Sequence, residues 1–170
     1  METGALVIRD ERADDRDAIR DVVAAAFLGH PHSQQTEHRI VDALRAADAL
    51  SLSLVAVRDG KVLGHIAFSR VGIGDGSPDW YGLGPVAVAP AQQGRGIGRA
   101  LIETGLTRLR ARRAAGCVVA GDPAYYGRYG FAADPGLRYP GLPPEYFMAQ
   151  HWSDAPARGE VAYHPAFELA

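Results

Sequence analysis

A glycine-rich connection between a strand pattern and a helix pattern is the sequence feature that most constrains the fold. Residues 81–88 are typical of a strand, glycines follow at alternate positions from Gly94 to Gly98, and residues 99–115 carry apolar side chains at helical spacing. The apolar segment 117–120 then favours a buried strand. Because strand–helix–strand crossovers are right-handed, the two strands are predicted to be parallel. The chain is therefore predicted to be an α/β protein organised around this unit.

The remaining patterns predict additional helices and strands before and after this unit. Asp59-Gly60 predicts the tight turn of a hairpin, because these residue types accept positive φ. With 170 residues, no internal repeat and no linker, residues 1–170 are predicted to form one domain. The other predicted elements are a strand at 6–9, a helix between a cap at Asp14 or Asp15 and a stop at Gly29, a helix at 34–47, the hairpin 51–58 and 61–71, a loop at 72–79, a short helix from Pro123, and closing strands at 146–150 and 160–163.

Charge and hydropathy argue against several classes of function. The chain has 18 Lys and Arg against 20 Asp and Glu, whereas a sequence-independent nucleic-acid binder is normally strongly basic. No apolar run approaches the roughly 18 residues of a membrane span, and the N-terminal stretch turns acidic where a signal peptide needs an apolar core. A cytoplasmic protein without nucleic-acid or membrane partners is therefore expected. The single cysteine, Cys117, is predicted to be a buried packing residue.

The glycine-rich connection has the chemistry of an anion site. The first amides of a helix have no intrahelical acceptor, and glycine lets a phosphate approach the backbone. The dinucleotide fingerprint G-x-G-x-x-G requires glycine at its sixth position. This position is Arg99 counted from Gly94 and Leu101 counted from Gly96, so the segment does not match. The Gly-Lys-Ser/Thr of a nucleotide-triphosphate loop is absent from this segment. These residues by themselves leave two alternatives, a pyrophosphate site and a turn without a ligand.

Two motifs resemble those of the GNAT superfamily of N-acetyltransferases. Gln93-x-x-Gly96-x-Gly98, preceded by Val88-Ala89-Pro90, resembles the acetyl-CoA signature of that family. Tyr126-Gly127-Arg128-Tyr129-Gly130-Phe131 resembles its Tyr-x-x-x-Gly-Phe motif, which follows the next strand. The resemblance covers about residues 6–150 and is strongest to small stand-alone bacterial members.

The resemblance implies a mixed central β-sheet with helices on both faces and a splayed parallel strand pair. The pantetheine of acetyl-CoA, the expected co-substrate, would lie between residues 81–88 and 117–120, and the loop amides would hold the pyrophosphate. Arg95 and Arg99 would add positive charge there, or one of the two would be solvated. The cofactor-binding residues implied are Val86, Val88, Gln93, Gly94, Arg95, Gly96, Ile97, Gly98 and Arg99.

The implied reaction is direct attack of a primary amine on acetyl-CoA in a ternary complex. Tyr126 matches the motif tyrosine and would protonate the leaving thiolate, while Tyr125 and Tyr129 are expected to pack. The acceptor is left open between a small amine and a peptide or protein amine, and a homodimer is possible among such proteins. Two alternatives stay open: a non-catalytic module that senses acyl-CoA, and an enzyme that uses a longer acyl-CoA.

The sequence also departs from the family pattern. Many members carry a glutamate base on the strand before the loop, but residues 81–88 contain no carboxylate. The base is therefore unassigned, with His65 and Asp79 as candidates. Gly121-Asp122-Pro123 replaces a common asparagine, so part of the cofactor contact pattern is in doubt. His30, His32 and Glu37 are candidates for acceptor contacts, whereas a metal site at His30, His32 and His38 is not expected, since a clear fourth ligand is lacking.

Overall fold

The computed structural model describes residues 4–169, so the ends of the predicted domain 1–170 lie outside the described residues. The strands are β1 (Val7–Asp10), β2 (Leu52–Arg58), β3 (Lys61–Ile73), β4 (Trp80–Val88), β5 (Gly116–Ala120), β6 (Ala132–Ala133), β7 (Leu137–Arg138), β8 (Phe147–His151) and β9 (Gly159–Ala162). The α-helices are α1 (Arg16–Phe27), α2 (Glu37–Ala46), α3 (Ile97–Ala111) and α4 (Pro123–Tyr126).

The central sheet is mixed, as predicted, with the order β1-β2-β3-β4-β5-β8-β6. Its parallel pair is β4–β5, and its other neighbours are antiparallel. Pairing between β4 and β5 joins only residues 80–82 to residues 116–118. Beyond these residues the two strands are no longer paired, which confirms the predicted splayed pair.

A shift in strand register lies where β4 leaves β5. The β3–β4 register shifts between Ile66 and Phe68, opposite Gly84-Pro85. Ile66 pairs with Val86 on one side of the shift, and Phe68 pairs with Leu83 on the other. An extra residue in one strand bends it and interrupts the ladder. The bend accompanies the gap between β4 and β5.

Helices cover both faces of the sheet, as predicted. Helix α3 buries the apolar stripe Leu101, Ile102, Leu106 and Leu109 against the β2, β3 and β4 side chains of the main core. On the opposite face, α1 and α2 bury Ile19, Val22, Val23 and Val41 against Val55 and Ala87. Helices α1, α2 and α3 are therefore held on the sheet by extensive apolar burial. Such burial stabilises the folded state by about 25 cal/mol per Å² of apolar surface.

The structure corrects several predicted boundaries. Helix α3 begins at Ile97 and ends at Ala111, because Arg113 takes a left-handed φ of 62°. Strand β3 continues into the predicted loop 72–79, because β9 pairs with Gly72 and Ile73. The short strands β6 and β7 were not predicted. Each has only two residues, too few for a hydrophobic period to show.

Candidate active site

The loop before α3 has the conformation that its glycines favour. Gly94 and Gly96 take left-handed φ values of 78° and 83°, and Gly96 is the N-cap of α3. A Cβ built on either glycine would have no heavy atom within 4 Å, so the loop surface is open. Gln93 Nε2 donates to the Val88 carbonyl oxygen at 3.2 Å and links the loop to β4. The unpaired first-turn amides and the positive end of the helix dipole are groups suited to an anion.

The free edge of β4 faces the gap left by β5. The Ala89 amide donates to the Leu63 carbonyl of β3 at 2.8 Å. Backbone groups alternate in direction along a strand, so Ala87 also turns towards β3, while Val86 and Val88 turn the other way. The two valines predicted to contact pantetheine therefore direct their backbone groups into the gap.

An open groove of about 680 Å³ runs from this edge to the glycine loop. We call it the cofactor groove. It is lined by Ala26, Phe27, His30, Val86, Ala87, Val88, Gln92, Gln93, Gly94, Gly96, Ile97, Gly98, Arg99, Tyr125, Arg128 and Tyr129. Among the described residues, its charged lining consists of Arg99 and Arg128, with no carboxylate. A groove with this charge suits an anionic ligand.

The three arginines near the loop differ in their placement. The Arg99 guanidinium donates to Glu103 at 2.7 Å, and this hydrogen bond raises the Arg99 pKa. Arg95 does not line the groove, and its guanidinium donates to the Gln92 side chain at 3.4 Å. Arg128, which sequence reasoning did not select, lies over the Tyr125 ring at 5.5 Å and lines the groove. Its position inside the tyrosine motif is the sequence signal that could have identified it.

Tyr126 lies on α4, directly after β5. The Asp122 carboxylate accepts from the Ala124 amide at 2.9 Å and caps this helix. A Cβ on Gly121 would lie 2.5 Å from Tyr126 Cε2, so glycine at this position makes room for the ring. The replacement of the usual asparagine thus provides both a cap and space for Tyr126. Burial raises the pKa of Tyr126 to about 12, which keeps its hydroxyl protonated.

The three tyrosines of this segment face two different cavities. Tyr125 and Tyr129 pack against the main core, as expected, and also line the cofactor groove, where the Tyr129 hydroxyl donates to the Tyr125 hydroxyl at 3.3 Å. Tyr126 instead lines a second space of about 320 Å³, which we call the aromatic cavity. Its lining is Phe27, Glu37, Ile40, Leu83, Gly84, Pro85, Val86, Ala120, Tyr126, Tyr139, Tyr163 and Phe167. Phe27 and Val86 line both spaces, so the two meet at the strand splay.

Neither base candidate from the sequence lines these spaces. His65 is fully buried, with Nε2 2.8 Å from the Ser53 hydroxyl, and desolvation lowers its pKa to about 4. Ser53 donates to Glu11, whose carboxylate is paired with Arg45. Asp79 precedes β4 at the end away from the splay and pairs with Arg70 at 3.3 Å. The geometry therefore gives neither side chain access to the reacting groups.

The residues considered for acceptor contacts separate in the structure. His30 lines the cofactor groove, Glu37 lines the aromatic cavity, and His32 lines neither. Across residues 4–169, no three His, Cys, Asp or Glu side chains are arranged to hold a metal ion. Cys117 is buried and free, and burial raises its pKa. No helix in the described part of the chain is long and apolar enough to cross a membrane.

A splayed parallel strand pair followed by a glycine loop and a helix start defines the class of acyl-CoA-dependent N-acetyltransferases. A sequence model of the acetyltransferase (GNAT) family matches residues 16–131, and the chain belongs to this family. The resemblance inferred from the two motifs is thereby confirmed. The domain matched includes both the glycine loop and the tyrosine motif.

Relatives support this assignment along most of the chain. A GNAT family acetyltransferase from Brucella melitensis, crystallised in complex with acetyl-CoA, is 51% identical, with a TM-score of 0.87 over 97% of this chain and 99% of that one. The YhbS protein of Escherichia coli, crystallised with CoA, has a TM-score of 0.89 and 32% identity over 99% of this chain and 94% of that one. By sequence, the uncharacterized N-acetyltransferase YhbS of E. coli K12 is 35% identical over 149 residues, covering 84% of this chain and 89% of the relative.

Proposed function

We propose that this protein, acting as one domain over residues 1–170, transfers the acetyl group of acetyl-CoA to a primary amine by direct attack in a ternary complex. The observation that carries the proposal is the gap between β4 and β5, which opens onto the glycine loop. The relatives crystallised with acetyl-CoA and CoA support the same donor.

Acetyl-CoA would lie in the cofactor groove with its pyrophosphate at the glycine loop and its thioester at the splay. Its pyrophosphate would take the amides from Gly94 to Arg99, near the cations Arg99 and Arg128. Its pantetheine would pair with the backbone of Val86 and Val88, as an added strand pairs with a free edge. The thioester would then lie at the splay, where the groove meets the aromatic cavity. An amide near Val88 would polarise its carbonyl, an effect often worth about 3 kcal/mol.

The transfer step needs two proton movements. The amine nitrogen forms a bond to the thioester carbon, the carbon–sulfur bond breaks, and the amine loses a proton. Tyr126 would give its hydroxyl proton to the leaving sulfur, since it lines the aromatic cavity at the splay and is protonated at neutral pH. Before the attack the ammonium releases one proton to solvent, and the proton that the nitrogen loses during the attack returns through water to Tyr126. The products are therefore an amide, CoA and that one solvent proton.

Turnover of a primary amine tests this proposal. The purified protein is mixed with acetyl-CoA and an amine, and thiol release and the mass of the amide are followed together. Equimolar thiol and amide support transfer, and propionyl-CoA and succinyl-CoA as donors test the acyl preference. Tight acetyl-CoA binding without turnover of any amine would instead support the acyl-CoA sensor. The absence of a base on β4 is the feature that keeps this second candidate in view.

A further inference from the structure

The aromatic cavity has a distinctive charge and surface. Glu37 is the single charged residue among its lining side chains, and it is also the single carboxylate that lines either this cavity or the cofactor groove within the described chain. Among residues 4–169, no arginine, lysine or histidine lines the cavity. One negative charge in an otherwise uncharged pocket matches a ligand with one positive charge.

The Glu37 carboxylate is held in place at the start of α2. The Ser33 hydroxyl lies 2.7 and 2.9 Å from its two oxygens. The carboxylate is half-buried, and it has no cationic partner among the described residues. A substrate ammonium could therefore approach it without displacing an arginine or lysine. A charge-assisted hydrogen bond of this kind is stronger than a neutral one.

Aromatic rings form much of the remaining wall. Tyr139 and Tyr163 pack edge to face with centroids 5.1 Å apart, and Tyr163 and Phe167 are also 5.1 Å apart. Phe27 and Tyr126 also line the cavity, and Phe27 is shared with the cofactor groove. Aromatic faces attract cations and also accept apolar groups. The volume of about 320 Å³ lies at the lower end of the range for small-molecule pockets.

We propose that the aromatic cavity binds the acceptor as a small primary amine with a single positive charge on an uncharged, apolar body, and that Glu37 holds its ammonium group. This inference rests on the proposed acetyl transfer and adds the chemical class of the acceptor. Amino acids are disfavoured because none of the described lining residues is a cation that could pair with their carboxylate. Polyamines are disfavoured because their second ammonium would lack a partner.

Calorimetry on CoA-saturated protein tests the acceptor class without needing turnover. Phenethylamine is the probe, phenylalanine adds a carboxylate to the same body, and spermidine adds further positive charge. We expect phenethylamine to bind at least about tenfold more tightly than either, since an unpaired buried charge is costly. Equal or tighter binding of phenylalanine, spermidine or a short peptide would overturn the inference. Failure of acetyl transfer to any amine would instead count against the proposed function.

Glu37→Gln tests the residue, with Glu145→Gln as the matched control. Glu145 is exposed and lines a neighbouring cavity rather than this one. Glu37→Gln should raise the dissociation constant of phenethylamine about tenfold and leave acetyl-CoA affinity unchanged, whereas Glu145→Gln should change neither. Aniline, which is neutral at pH 7, should lose little affinity in Glu37→Gln. An equal loss for both amines would assign Glu37 a structural role and overturn this part of the inference.

Discussion

A charge placed at Gly96 is the sharpest test of the anion site before α3. Gly96 has a φ of 83°, and a Cβ there meets no heavy atom within 4 Å. Aspartate and asparagine both fit the space, and both tolerate left-handed φ better than other side chains. Gly96→Asp and Gly96→Asn therefore share their backbone cost and differ mainly in one negative charge.

The expected difference in acetyl-CoA affinity between the two variants depends on the distance from the new carboxylate to the phosphates. At about 4 Å, two like charges repel by about 1 kcal/mol in water and by about 4 kcal/mol near a protein surface. With about 1.4 kcal/mol for each tenfold change, Gly96→Asp should bind acetyl-CoA between about 5-fold and 10³-fold more weakly than Gly96→Asn. Isothermal titration of acetyl-CoA into each variant measures this ratio.

Two controls separate the charge effect from a folding defect. The left-handed backbone should cost each variant about 1–2 kcal/mol, or roughly 2–8 °C in Tm for a chain of this size, by similar amounts in both. Acetyl-pantetheine, which lacks the pyrophosphate, should bind the two variants equally. Equal acetyl-CoA affinities for Gly96→Asp and Gly96→Asn would refute the pyrophosphate assignment.

Three further predictions concern Tyr126, Gly121 and His65. Tyr126→Phe should lower kcat by about 10²-fold or more and leave acetyl-CoA affinity nearly unchanged, because only the acid is lost. Steady-state kinetics measure this, with Tyr146→Phe at an exposed site as the control, and an unchanged kcat in Tyr126→Phe would contradict the acid role. Gly121→Ala should lower kcat in the same assay by displacing the Tyr126 ring, which lies 2.5 Å from the new Cβ; retained kcat would argue against that ring position. The pKa of His65 is about 4 in the folded state and 6.5 in the unfolded state, so the folded state binds fewer protons between pH 4 and pH 6.5. The free energy of unfolding should therefore rise with pH across this window, by up to about 3 kcal/mol. Urea unfolding across that pH window should show a flatter dependence for His65→Gln, and identical slopes would contradict this account.

The glycine loop shows what local sequence determines. A residue type that accepts positive φ, an apolar strand before it and an amphipathic helix after it are all encoded within a few neighbouring positions. The parallel pair followed from the handedness of the crossover, and Tyr126 was identified because its motif resembles the tyrosine motif of the GNAT family. The loop and the parallel pair were predicted from the sequence because short-range geometry determines them.

Only the tertiary structure shows which side chains reach the cofactor groove. Tyr125 and Tyr129 pack against the main core as predicted, but only the tertiary structure shows that they also line the cofactor groove, together with Arg128, which sequence reasoning passed over. His65 was a base candidate because of its residue type and its place on the strand before β4, and only its burial removes it from the reacting groups.

The aromatic cavity is the clearest case of long-range assembly. Neighbouring residues encode the α/β unit and the glycine loop, and the family resemblance adds the motif tyrosine. The sequence by itself could not show that Glu37 of α2 and Tyr163 after β9 line one space, because no local pattern links segments so distant in the chain. Their approach depends on β9 pairing with the end of β3 and on α2 packing against the C-terminal turn at residues 165–169. Cooperative burial of apolar surface between distant segments thus decides the charge and shape of this cavity.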